Sequence, residues 1–291
     1  MRLATSTNIM QQIPGREEAG VRECLKRCHA AGFRVFDLNC CDRSGPGQYM
    51  RSADWEAETY RIKALCETLD LEFSQCHLEY YNVCDPAVPD RERREEMVRR
   101  GILACEILGI KWAVIHPGSV YEGGSLSREK SKAANIAYFT KWLDFAAEHG
   151  VGLALENIFD WEGRRHYAGA VEDLIDLTDS LKRPNAGICW DFGHAHMYGY
   201  DHVYWLKRIG KRLKALHVQD THGEGDDHLA PFYGTIPWPP IMKTLKEIGF
   251  CHDLAFEIHL MTRNMPDALR ESQLRHLCDI GHYLIKLYEE A

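Results

Sequence analysis

No stretch of the chain reaches the ~20 consecutive apolar residues that a bilayer-crossing helix needs. The N-terminal Met1-Arg2-Leu3-Ala4-Thr5-Ser6-Thr7 lacks the apolar core of a secretory leader, so a soluble, cytoplasmic protein with no membrane partner is expected. Positive charge is in deficit: 35 Lys and Arg face 43 Asp and Glu, a formal charge of -8. That balance repels a phosphate backbone unless cations are strongly clustered, so nucleic acid is not an expected partner. No Cys-x-x-Cys pair occurs, and the 11 cysteines are odd in number and scattered from Cys24 to Cys278. They fit neither a disulfide framework nor a structural zinc site and read as reduced core residues; the neighbours Cys40 and Cys41 are most simply packed near a strand end. Linkers, low-complexity tracts and short repeats are missing too, which points to one domain over residues 1–291. What is there is 45% hydrophobic and 27% charged across 291 residues, enough for a sizeable core.

Short runs rich in Val, Ile, Leu and Phe recur along the chain, each followed by a longer segment of helical spacing. The runs predict strands over Leu3–Ile9, Phe33–Leu38, Glu72–His77, Trp112–His116, Val151–Glu156, Ala186–Asp191, Leu213–Val218 and Leu254–Ile258. Between them, Glu17–Ala31, Ala53–Leu69, Arg91–Leu108 and Ala133–His149 place apolar residues three and four apart among charges, as helices covering a sheet do. The charge run Arg91-Glu92-Arg93-Arg94-Glu95-Glu96 reads as a solvated helix start. Eight βα units with no break in composition favour an α/β fold, closed as a (β/α)₈ TIM barrel, over an open doubly wound sheet.

Four strands end on a residue that a buried apolar strand would not otherwise choose, His77, His116, Glu156 and Asp191, and His217 and Glu257 follow on the last two strands. In a (β/α)₈ barrel all carboxyl ends of the strands open on one face, where active sites form, so these side chains converge. Buried carboxylates and imidazoles gathered in this way need neutralising. Glu156, Asp191, His217 and Glu257 offer three oxygen donors and one nitrogen, a set suited to one divalent ion, Mn²⁺, Co²⁺, Zn²⁺ or Mg²⁺.

The segments Leu153-Ala154-Leu155-Glu156-Asn157, Trp190-Asp191-Phe192-Gly193-His194, Leu216-His217-Val218-Gln219-Asp220, Asp226-Asp227-His228-Leu229-Ala230-Pro231, Gly234-Thr235-Ile236-Pro237-Trp238 and Phe256-Glu257-Ile258 together resemble the xylose isomerase-like barrel superfamily. That group holds sugar isomerases and epimerases and, more distantly, the endonuclease IV nucleases. The resemblance implies that Glu156, Asp191, His217 and Glu257 bind one metal and that Glu156 and Glu257 also move protons. The chemistry is coherent: taking a proton from carbon beside a carbonyl needs a base and a Lewis acid that stabilises the enediolate oxygen. Two glutamates across the metal suit epimerisation, and one glutamate shuttling a proton between adjacent carbons suits aldose–ketose isomerisation.

His194 resembles the histidine that contacts substrate oxygens in ketose epimerases, and Glu162 resembles a substrate-side glutamate there. Those epimerases carry an arginine six residues beyond the metal histidine, where this chain has Gly223. His116 and His77 are placed to bond substrate hydroxyls, and His228 joins them as a substrate residue. Trp112, Trp161, Trp190 and Trp238 offer faces for the C–H side of a sugar or, equally, barrel packing. The segment Gly223-Glu224-Gly225-Asp226-Asp227 has the wrong charge for a phosphate cradle, which favours an unphosphorylated sugar or polyol as the small-molecule partner. Two other readings use the same residues. A dehydratase would eliminate a leaving group after the same deprotonation. In an apurinic-site endonuclease reading, His77, His116, Glu156, Asp191, His194, His217, Asp226, His228 and Glu257 together resemble the nine ligands of that family's three-zinc cluster. Such barrels commonly form a homo-oligomer, an expectation by analogy alone.

Overall fold

The computed structural model describes residues 1–10, 20–41, 46–161 and 163–291. Eight parallel strands form one sheet: β1 (Leu3–Ser6), β2 (Val35–Asn39), β3 (Glu72–His77), β4 (Trp112–Ile115), β5 (Gly152–Glu156), β6 (Ala186–Asp191), β7 (Leu213–His217) and β8 (Leu254–Phe256). The hydrogen-bonded order runs β8-β1-β2-β3-β4-β5-β6-β7. Beyond the ends of β7 and β8, Val218 N–H donates to Ala255 O (2.8 Å) and Glu257 N–H to Val218 O (3.0 Å), which closes the barrel. Around it lie α1 (Val21–Ala31), α2 (Trp55–Leu69), α3 (Arg91–Leu108), α4 (Arg128–Glu148), α5 (Val171–Leu181), α6 (Phe192–Met197), α7 (His202–Ile209), α8 (Trp238–Glu247), α9 (Leu260–Arg263) and α10 (Asp267–Glu290). Among the described residues no helix is long and apolar enough to cross a membrane.

The expected strands are all present, and β3 and β6 have the expected bounds. The first run is shorter because Thr7–Met10 turns into a 3₁₀ helix. His116, Val218 and Glu257 stand just past their strands, where the chain bends over the rim. Residues 17–19 of the first expected helix lie outside the described residues, and α4 starts earlier than its apolar spacing suggests, at Arg128. The charge run opening α3 is only partly a solvated face: Arg94 reaches the buried Glu79 at 2.8 Å, and burial pushes that carboxyl up to about 7 against the pull of Arg94.

Two irregularities set which side chains face the barrel axis. Phe73 and Gln75 are two apart and would share a face in an unbroken strand. A register shift between Phe36 and Asp37 separates them: Phe73 packs outward on Phe36, ring centroids 6.1 Å apart, while Gln75 bonds Asp37 inside. A second shift, between Ile188 and Cys189, sends Leu213 to the helices and Ala215 inward beside Val114, Ala154 and Cys189. His77 and His217, two residues beyond Gln75 and Ala215, inherit the inward phase. At the opposite end Trp112 plugs the barrel over Gly152, where an added Cβ would come within 2.4 Å of the indole.

The connection from β7 to α8 is built around Asp220, which is fully buried. Its Oδ1 accepts from Thr221 N (2.9 Å) and Ile236 N (3.1 Å), and its Oδ2 from Phe232 N (2.9 Å) and Trp238 Nε1 (2.9 Å). Four donors on one carboxylate hold Phe232 in the left-handed region (φ 74°), which a phenylalanine does not adopt unaided. Gly234 lies against the same group, since a Cβ there would meet Asp220 Oδ1 at 2.3 Å. Asp220→Ala strands these buried donors and is expected to lower unfolding stability by about 3–5 kcal/mol in urea titration.

His202, at the start of α7, is buried beside Trp190 and Phe192 with no hydrogen bond at either ring nitrogen. Burial, helped by His196, pushes its pKa down from 6.5 to about 3. Between those values the unfolded chain binds a proton that the folded chain refuses, so stability is lost as pH falls below about 6.5, at most ~1.4 kcal/mol per pH unit. His202→Leu is expected to flatten that acid slope in urea titrations at pH 7, 6 and 5; parallel slopes for variant and wild type would remove His202 as a cause.

Candidate active site

The carboxyl ends of the strands deliver the expected side chains to one place. Glu156 closes β5, Asp191 closes β6, His217 closes β7, and Glu257 follows β8. One ligand atom from each of the four lies within 4.8 Å of the others, and none of the four is more than 8% exposed. His217 Nδ1 sits 2.9 Å from Glu156 Oε1 and 3.3 Å from Glu257 Oε2. Burial pushes the carboxyls of Glu156 and Glu257 up, because neither charge is solvated. Burial alone would pull the His217 imidazolium down, but Cys189, Glu156 and Glu257 outweigh it and hold His217 well above its ordinary range. The group attracts a positive charge, whether a proton or a metal ion.

These residues fit a divalent cation. Glu156 Oε2 is wholly buried and makes no hydrogen bond; His116 and His77 Nε2 approach it, at 3.1 Å and 3.6 Å, so its charge is poorly compensated without a cation. Three carboxylate groups and one imidazole are a hard-to-borderline donor set. Asp191 is aimed by its neighbours: Oδ1 caps α6 by accepting from His194 N (2.6 Å), and Gln219 Nε2 approaches at 3.3 Å. Asn157 grips the same strand end, with Oδ1 accepting from Asp191 N (2.8 Å) and Nδ2 donating to Asp191 O (2.9 Å).

Two further groups flank the four. His77 and His116 approach Glu156 Oε2 with their Nε2 atoms at 3.6 Å and 3.1 Å, and His77 Nδ1 bonds Leu78 O (2.8 Å). On the other side Asp226 lies 3.6 Å from His194 Nε2 and 3.1 Å from His228 Nε2. Burial works against the Asp226 charge, but His228 and His194 hold its carboxyl well below the usual range. Asp226 in turn raises His228 to about 9 against burial. His194 braces Asp191 through its backbone N–H and lines the cavity with its ring.

The cavity over these groups has a volume of about 340 Å³, which suits a small ligand. Its lining includes the aromatic Tyr80, Phe159 and Trp161 and the polar Asn8, Asn39, His259 and Arg263. Of the four tryptophans, Trp161 alone lines it; Trp112 plugs the far end of the barrel, and Trp190 and Trp238 are wholly buried in the layer between sheet and helices. The acidic segment after Gly223 folds onto itself, with Asp227 accepting from Thr221 Oγ1 (2.9 Å), so that only Asp226 points into the site. Glu162 lies outside the described residues.

Sequence reasoning missed Gln219, His259, Asn8 and Asn39 in the site and Asp37 beneath it. A signal existed for the first two: each stands two residues beyond an expected ligand, His217 or Glu257, and a two-residue period continued past the strand end keeps them on the same side.

The family described as xylose isomerase-like TIM barrel matches residues 25–280. Inosose isomerase of Bacillus velezensis is 26% identical over 253 residues, 83% of this chain and 84% of that protein. A probable endonuclease 4 of Thermosipho melanesiensis is 27% identical over 223 residues, 70% of this chain and 74% of that protein. The crystal structure of IolI protein with a bound zinc atom shares the fold, with a TM-score of 0.80 at 19% identity over 99% of both chains. The site, the order of its residues along eight strands and the extent of the match agree: the chain belongs to the xylose isomerase-like TIM barrel family.

Proposed function

We propose that the protein is a metal-dependent sugar isomerase or epimerase that removes a proton from carbon next to a carbonyl of an unphosphorylated sugar or polyol. The observation that carries this reading is the placing of Glu156 and Glu257 against the same atom, His217 Nδ1, at 2.9 Å and 3.3 Å, both buried and both lining the cavity. Burial raises both carboxyls toward the range in which a carboxylate can take a proton and, once protonated, return it. Glu156, Asp191, His217 and Glu257 would hold the divalent ion; when bound, it supplies positive charge that stabilises the oxygen of the enediolate. One glutamate takes the proton and the other returns it to the opposite face in an epimerisation, or a single glutamate carries it to the next carbon in an isomerisation. His77, His116, His194 and His228 line the cavity as partners for substrate hydroxyls, and Trp161 and Phe159 offer apolar faces for the C–H side. The inosose isomerase similarity supports this class of substrate.

A second reading is favoured by one observation: the nine residues of the expected three-zinc set do gather, with His77, His116 and Glu156 in one group and His194, Asp226 and His228 in another. That arrangement suits phosphodiester hydrolysis. Against it, Arg263 is the one Lys or Arg among the described residues lining the cavity, where a nucleic-acid backbone needs several.

Elemental analysis of protein purified without chelator is expected to give one divalent ion per chain, and three zinc ions together with cleavage of abasic DNA would replace the sugar reading with the nuclease. His217→Ala is expected to lose the metal; unchanged metal content would refute the ligand set. Glu156→Gln and Glu257→Gln are each expected to retain the fold and to cut solvent-deuterium exchange into inososes and ketoses by at least ~10²-fold. Full exchange in either variant would end its role in proton transfer.

A further inference from the structure

Below the candidate ligands the barrel axis is lined by small side chains such as Ala4, Val114, Ala154 and Ala255. One acidic residue breaks that pattern. Asp37, in the middle of β2 and 1% exposed, pairs in register with Ser6 and Gln75 and points to the axis. Its Oδ2 accepts from Gln75 Nε2 (3.3 Å) and lies 3.6 Å from His217 Nε2. Its Oδ1 has no hydrogen-bond partner, and neither has His217 Nε2. A buried acidic side chain so poorly satisfied costs stability, so packing does not account for it.

The geometry of His217 does. A neutral imidazole carries its proton on one nitrogen and a lone pair on the other, and the contact at one nitrogen selects the tautomer. Nδ1 faces Glu156 and Glu257, the side of the candidate metal ligands, and Nε2 faces Asp37. We propose that Asp37 is a positioning residue that keeps the His217 proton on Nε2 and thereby presents the Nδ1 lone pair to a divalent cation. Gln75 assists, since its Nε2 also donates to Leu216 O (3.2 Å), tying Asp37 to the backbone beside His217. A carboxylate placed behind a ligand histidine orients the ring and raises its donor strength. This inference rests on the metal-site reading above.

The test compares wild type with Asp37→Asn and Asp37→Ala, all stripped with chelator. Zn²⁺ affinity is measured by competition with a chromogenic chelator, and thermal unfolding is followed for the metal-free proteins. Affinity is expected to fall in the order wild type, Asn, Ala, by about 10- to 100-fold overall, because the asparagine keeps an acceptor oxygen and the alanine keeps nothing. The metal-free Tm of Asp37→Asn is expected to match that of wild type, because the asparagine keeps the volume and an acceptor for Gln75; Asp37→Ala also leaves a cavity and is read by affinity alone. Unchanged Zn²⁺ affinity in both variants would overturn the proposal. A fall in the metal-free Tm of Asp37→Asn that accompanies weaker binding would overturn it too, by making Asp37 a structural residue. Failure of wild type itself to bind Zn²⁺ would instead overturn the metal-site reading beneath it.

Discussion

Three carboxylates held within 4.8 Å of an imidazole, almost out of reach of water, are the constraint around which the carboxyl-terminal half of this barrel is organised. Like charges in a weakly polarisable interior repel strongly, and the backbone must hold them against that repulsion. The means are local and polar. Asn157 ties the end of β5 to the end of β6, Gln219 bridges Asp191 and Asp226, and the backbone of His194 caps onto Asp191. The Asn157 bond fixes the backbone of Asp191, and the Gln219 and His194 bonds fix its carboxylate.

The same logic extends outward to the β7–α8 connection. Asp226 and His228 reach the site only because the segment between Asp220 and Trp238 is held in a strained path, with His228 and Phe232 both at positive φ. Asp220 supplies that hold by accepting hydrogen bonds from four groups spread over the segment. A residue that never touches the cavity thereby sets the position of two that do. Downward, Asp37 and Gln75 form a polar layer between the candidate ligands and the small apolar side chains of the barrel axis. The site is framed from the rim, from a loop and from the barrel floor.

The sequence by itself determined the eight strands, their order of appearance and the polar residue at or just past the end of six of them, because apolar runs and strand periodicity are local properties. It also determined the four candidate ligands, since polar groups closing apolar strands have one plausible destination in a (β/α)₈ barrel. Only the tertiary structure decided which way those side chains face. The register shifts at Phe36–Asp37 and Ile188–Cys189 reverse the inward phase of β3 and β7, and a shift of register depends on pairing with a neighbour that the local pattern does not encode. Tertiary structure alone also decided that Trp112 plugs the far end while Trp161 faces the cavity, and that Asp37, one acid within an apolar run, stands behind His217. Those assignments rest on contacts between residues distant in sequence, which exist only once the sheet has closed.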